Sequence, residues 1–143
     1  MNPQPSDAPA PVLARGVRSF DRACQHGATQ WQFDWHFAPG DRAFAGHFPH
    51  HPILPGVFLL EMAQRAAEWA LQQSLERVFR ISRVERMRFI APVRPGDGCT
   101  LMLDWSSTAT ASSTEALKVN VRFNKPHDAV AHGSMQARAV SET

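Results

Sequence analysis

The chain has no tyrosine, two cysteines, and no apolar run longer than a few residues. Each shortage excludes something. Cys24 and Cys99 stand alone, giving neither the paired spacing of a metal site nor a disulfide framework, so a reducing cytoplasm is the expected setting. The strongest apolar run, 57–60, is closed by Glu61, far short of the ~20 residues that span a bilayer. The first residues lack a basic-then-apolar leader pattern, so no membrane role is expected. Charge of one sign is barely in excess: 15 Lys and Arg against 13 Asp and Glu leave +2. That balance is weak ground for a nucleic-acid or membrane partner. No internal repeat is present, and 43% hydrophobic with 20% charged residues exclude a disordered tail.

What is present is unevenly placed. A chain of 143 residues is the size of one domain and can build a core without staples. Residues 1–11 are proline-rich and read as a flexible lead-in, leaving 12–143 as a single domain. Pro39, Pro49, Pro52 and Pro55 crowd a second segment, which also holds His47, His50 and His51. The remaining histidines, His26, His36, His127 and His132, read as surface or strand residues.

Hydrophobic periodicity orders the rest. A first strand is expected around 12–20. Trp31, Phe33, Trp35 and Phe37 alternate with polar residues, the signature of a strand with one buried face. Pro55-Gly56 opens a helix over 57–75, rich in Leu, Ala, Met, Gln and Glu, whose all-apolar first turn should be buried. Further strands are expected at 79–90, around Leu101 to Trp105, at 117–123 and around 131–138. One apolar helix followed by antiparallel strands predicts an α+β domain whose sheet wraps the helix. A single helix covers only part of such a sheet, which leaves either a second copy packed on it or a face in water.

The chemistry is concentrated at 46–61. Pro49, Pro52 and Pro55 stiffen the backbone after His47, so its imidazole is held. Gly56 lets another group approach the backbone, and its N–H is one of the unpaired donors of a helix start, suited to negative charge developing on an oxygen. Glu61 lies one to two turns further on, where burial would favour its protonated form. A base, an N–H donor and a protonatable carboxyl are what proton abstraction beside a carbonyl requires. Plainer readings exist. Glu61, Gln64, Arg65, Glu68 and Gln72 could form a solvated stripe. Arg65, four residues after Glu61, could pair with it and keep it ionised. His47, His50 and His51 are poor zinc ligands, since adjacent histidines in a proline-locked loop rarely converge on one ion. The Trp31 strand reads as sheet packing, leaving a base-stacking surface as the weakest option.

The string Gly46-His47-Phe48-Pro49-His50-His51-Pro52-Ile53-Leu54-Pro55-Gly56, with Glu61 fourteen positions after His47, resembles the motif of β-hydroxyacyl-acyl-carrier-protein dehydratases of the FabZ/FabA type. Arg88-Phe89-Ile90-Ala91-Pro92-Val93-Arg94-Pro95-Gly96-Asp97 is similar to a second stretch of that family, and Val130-Ala131-His132-Gly133 sits where its last strand begins. The resemblance covers roughly 12–140 and implies a dimeric hotdog fold, one long central helix wrapped by antiparallel strands. It implies that His47 removes the C2 proton of a (3R)-3-hydroxyacyl thioester, that the Gly56 N–H polarises the carbonyl, and that Glu61 protonates the departing hydroxyl. It implies too that the histidine and acid of one site come from different protomers, with an apolar tunnel between them. Phe48, Pro55 and Val57 then become substrate-binding candidates. No cofactor or metal is called for. The Arg77 to Arg94 stretch would suit an acidic acyl carrier protein, and a related hotdog subunit could replace the second copy. Two alternatives stay open: a non-catalytic hotdog module that binds the carrier or its acyl thioester, and an acyl thioesterase.

Overall fold

The computed structural model describes residues 20–36, 54–108 and 116–140. Six strands and one helix follow in order: β1 (Arg22–Gly27), β2 (Gln30–His36), α1 (Gly56–Leu75), β3 (Phe79–Phe89), β4 (Gly98–Ser107), β5 (Ala116–Asn124) and β6 (Ala129–Ala139). The strands form one sheet in the order β1-β2-β4-β5-β6-β3, with every neighbouring pair antiparallel. The helix crosses one face of it. The α+β expectation is met, and the helix starts within one residue of the expected position. The strand expected at 12–20 lies outside the described residues, apart from Phe20. The first described strand, β1, has no alternation: its buried residues, Ala23 and Cys24, are adjacent. Period-2 reasoning had nothing to find there.

The core follows from the alternation on the central strands. Cross-sheet rows such as Phe33, Leu101, Phe123 and Ala131 point at the helix. The helix answers with small residues, Ala63, Ala66, Ala67 and Ala70, all fully buried, flanked by Met62 and Leu71. Alanine keeps helix propensity high while letting the helix lie close to the sheet. Trp69 completes the contact edge-on to Trp31 and Phe33, with ring centroids 5.1 and 5.9 Å away.

Strand β3 is an edge strand, and its irregular sequence has a structural cause. Register shifts at Ile81/Arg83 and Val84/Arg86 leave Ser82 and Glu85 as extra, unpaired residues. Each bulge restores the facing of the residues that follow. Phe79, Ile81, Val84 and Met87 therefore all turn toward the core. Arg83, Arg86 and Arg88 line up on the outer face, opposite Gln136, Ser134 and His132. Gly133 makes this possible: a Cβ there would lie 2.0 Å from the Arg86 carbonyl oxygen.

Candidate active site

The site is built around the N-terminus of α1. Pro55 caps the helix with extended backbone (φ −61°, ψ 141°) and no side-chain cap, and Gly56 is the first helical residue. Proline suits this boundary because its missing N–H costs the helix nothing. Phe58 N–H donates to the Pro55 carbonyl at 3.0 Å, so Gly56 belongs to the first turn, whose N–H groups have no acceptor within the helix. Gly56 is also approached closely, as its sequence position suggested. The ring of Phe89 occupies that space, with carbons 3.0 Å from where a Cβ would be.

Beside this contact lies an apolar cavity of about 370 Å³, lined by Leu54, Gly56, Leu59 and residues 89–93. It contains no charged side chain. Phe89 and Ile90, at its mouth, are 49% and 53% exposed. The sequence places residues 88–97 in the family pattern but does not reveal that 89–93 wall a cavity. The adjacency of Phe89 to Arg88 at the end of a strand was the available signal. A larger recess, about 550 Å³, opens on the outer sheet face among Gln30, Met102, Asp104, Asn120, Arg122 and His132. Its lining is mixed and includes no residue of the helix, and Asn120 already donates to the Asp104 carboxylate at 3.0 Å. Of these two, the smaller cavity is the one that meets the helix start, through Gly56.

Glu61 is placed differently from expectation. Its side chain is 40% exposed, so this chain alone does not bury it. Val57 likewise is 66% exposed, a correction to the expected buried first turn. The cause is that α1 presents one face to the sheet, and Val57 and Glu61 sit off that face. Glu61 lines an open cleft with Val57, Leu60, Gln64, Arg65 and Glu68. Five residues at about 100° each rotate Glu61 about 140° away from Gly56, and the two open into different recesses. The expected pairing with Arg65 is present but loose, at 3.8 Å between two exposed groups. Such a pair contributes about 0–1 kcal/mol and does not lock the carboxylate. Pro55 stands in the chain between two cavity-lining residues, Leu54 and Gly56, without lining the cavity itself, whereas His47 and Phe48 lie outside the described residues. Among the described residues, no cluster of His, Cys, Asp and Glu could hold a metal ion. In the same set, no helix is long and apolar enough to cross a membrane.

A six-stranded antiparallel sheet folded around one long helix defines the hotdog class. The sequence pattern of the ApeI-like family, described as ApeI dehydratase, matches residues 23–133, and the chain belongs to that family. It is 42% identical over 67 residues to the 3-hydroxyacyl-acyl-carrier-protein dehydratase FabZ of Sulfurimonas denitrificans, covering 41% of this chain and 45% of that protein. With the FabZ of Aliarcobacter butzleri it shares 44% over 75 residues, 47% of this chain and 48% of that protein. The chain thus spans about half the length of the curated relatives it matches. Among solved structures, the dehydratase heterocomplex ApeI:P from Xenorhabdus doucetiae superposes with a TM-score of 0.65 at 20% identity, over 87% of this chain and 99% of that one. The E. coli PaaI protein of the phenylacetic acid degradation operon gives 0.62 at 15% identity, over 80% and 75%. At these identities the structural likenesses speak for the fold alone.

Proposed function

We propose that the protein is a hydro-lyase that converts (3R)-3-hydroxyacyl thioesters, carried on an acyl carrier protein, into trans-2-enoyl thioesters during fatty-acid or polyketide-like chain building. His47 takes the C2 proton. The Gly56 N–H receives the negative charge that develops on the thioester oxygen. Glu61 gives a proton to the C3 hydroxyl, which leaves as water while the C2–C3 double bond forms. The observation that carries this reading is the uncharged cavity of about 370 Å³ set directly against Gly56 at the helix start, where an acyl chain fits beside an N–H donor.

The separation of Gly56 from Glu61 on the helix supports a two-chain site. A second hotdog chain, a copy or a related subunit as in the ApeI:P heterocomplex, brings its own Glu61 equivalent to this Gly56. It also covers Val57, Phe89 and Ile90. The outward row of Arg83, Arg86 and Arg88 leads along β3 toward the cavity mouth at Phe89. It suits the acidic surface of a carrier protein through steering and registration.

The test is a dehydration assay on 3-hydroxyacyl thioesters, read by enoyl absorbance. His47→Ala and Glu61→Gln are each expected to lower kcat by about 10²- to 10⁴-fold, with unchanged unfolding midpoints. Unaltered turnover in His47→Ala overturns the mechanism. Release of free thiol instead of enoyl product identifies a thioesterase. The exposed Glu61–Arg65 pair favours one other reading, a hotdog module that holds the carrier without turning it over. Turnover by the purified chain alone eliminates it.

A further inference from the structure

The wall of the apolar cavity is made by residues 90–93, a segment outside the regular sheet that begins a proline-rich connection to β4. Pro92 and Pro95 have no N–H to donate, so this segment has few backbone anchors of its own. It is tied from elsewhere. The N–H groups of Ile90 and Ala91 donate to the Val130 carbonyl at 2.7 and 3.2 Å. The Lys125 ammonium, from the β5–β6 turn, donates to the Pro92 carbonyl at 2.8 Å and lies 3.4 Å from Asp97 Oδ2. Asp97 Oδ2 also accepts the Arg94 N–H at 2.8 Å, and the Asp97 N–H returns to the Arg94 carbonyl at 3.0 Å. This closes a turn at Gly96, whose φ of +89° favours glycine. Finally, the Leu54 N–H donates to the Val93 carbonyl at 2.8 Å, two residues before Gly56.

Lys125 is therefore the one side chain of this network that fastens both ends of the 92–97 segment. Its side chain is only 16% exposed, whereas lysine ordinarily keeps its ammonium in water. Three rotatable donors let one group serve a carbonyl and a carboxylate together. A partly screened lysine–carboxylate contact at 3.4 Å adds little stability by itself. Its geometric effect is larger, because it holds Pro92 and Val93 against Leu54 and so sets the width of the cavity.

We propose that Lys125 is a positioning residue for acyl-chain selection: by fixing the 90–97 segment it sets how tightly the cavity grips the acyl carbons beyond the reacting centre. The proposal rests on the dehydratase reading. Lys125→Met keeps an unbranched side chain only one atom shorter and removes its donors. The measurement is kcat/KM on carrier-free four-carbon and eight-carbon 3-hydroxyacyl thioesters, for the full chain and for Lys125→Met. Lys118→Met, on the exposed side of β5, controls for loss of one positive charge. The eight-carbon substrate is expected to lose about tenfold, the equivalent of roughly two unburied methylenes, carried by KM. The four-carbon substrate stays within about twofold, since it does not fill the cavity. Lys125→Cys treated with bromoethylamine regenerates an ammonium of nearly the same reach. It is expected to restore the preference, with Cys24 and Cys99 protected by burial.

An equal loss on both substrates, or no loss on either, overturns the proposal. So does failure of aminoethylation to restore the preference in a protein that still unfolds cooperatively. If the unaltered chain dehydrates neither substrate, the dehydratase reading falls separately. Binding of the same two thioesters, followed by tryptophan fluorescence, then decides the proposal by the same ratio.

Discussion

The two ends of α1 obey different rules. Toward its C-terminus, Ala66, Ala67, Ala70 and Leu71 are fully enclosed by the chain's own sheet. Polar groups there are matched: Trp31 Nε1–H donates to Ser74 Oγ at 2.7 Å, and Glu68 accepts the N–H of the edge residue Ile81 at 2.9 Å. The helix then stops at Glu76, which takes the left-handed conformation (φ 55°) and returns its N–H to the Gln72 carbonyl. At the N-terminus, by contrast, Phe89 and Ile90 stand exposed around a cavity, and Val57 and Glu61 line an open cleft beside it. One end serves stability and is finished within the chain. The other leaves apolar surface and a helix start without a side-chain cap open.

This contrast can be tested by mutation. Leu71→Ala should cost about 3 kcal/mol of unfolding free energy, because the closed end cannot relax around the lost side chain. Val57→Ala should change it by less than about 0.5 kcal/mol while weakening self-association, read by sedimentation. Comparable losses from both in denaturant unfolding would break the distinction. Between these two lies Ser74→Ala, expected at about 1–2 kcal/mol, because the buried indole N–H of Trp31 loses its acceptor. Gln25→Ala, whose amide reaches the same hydroxyl at 3.4 Å, should cost less.

Cys99 is buried near the start of β4, two residues after Asp97. Burial, with Asp97 adding to it and Lys125 opposing, pushes its thiol from 9.0 to about 12. The folded value lies above the unfolded one, so the unfolded chain loses this proton first. The thiol's contribution to stability is complete below about pH 9 and is lost as pH rises toward 12. The melting temperature of the unaltered chain should therefore fall more steeply above pH 9 than that of Cys99→Ala. The absence of tyrosine lets thiolate absorbance be followed without tyrosinate beneath it. A thiol that titrates at its ordinary value would show that the open end reaches into the sheet.

Much of this was legible in the chain itself. The helix from Pro55-Gly56 and the strands around Trp31, Leu101 and Leu117 were readable because burial on one face imposes a period. The proline-framed His47 motif announced a candidate site for a similarly local reason, since spacing within a stiff segment is written in order. The strand β1 was not readable, because adjacent Ala23 and Cys24 carry no period. The bulges of β3 were hidden too. An Arg83, Arg86, Arg88 pattern looks irregular until Ser82 and Glu85 are taken out of register by pairing with β6.

The sequence by itself therefore determined the architecture and the kinds of chemical group gathered near the helix start. Tertiary structure alone decided which of those groups share a space. Phe89 was brought over Gly56, and Lys125 was brought under Pro92. The reason is physical. Periodicity and motif spacing act within a few residues, whereas a cavity is walled by segments about 35 positions apart, and only the packed sheet sets the distance between them.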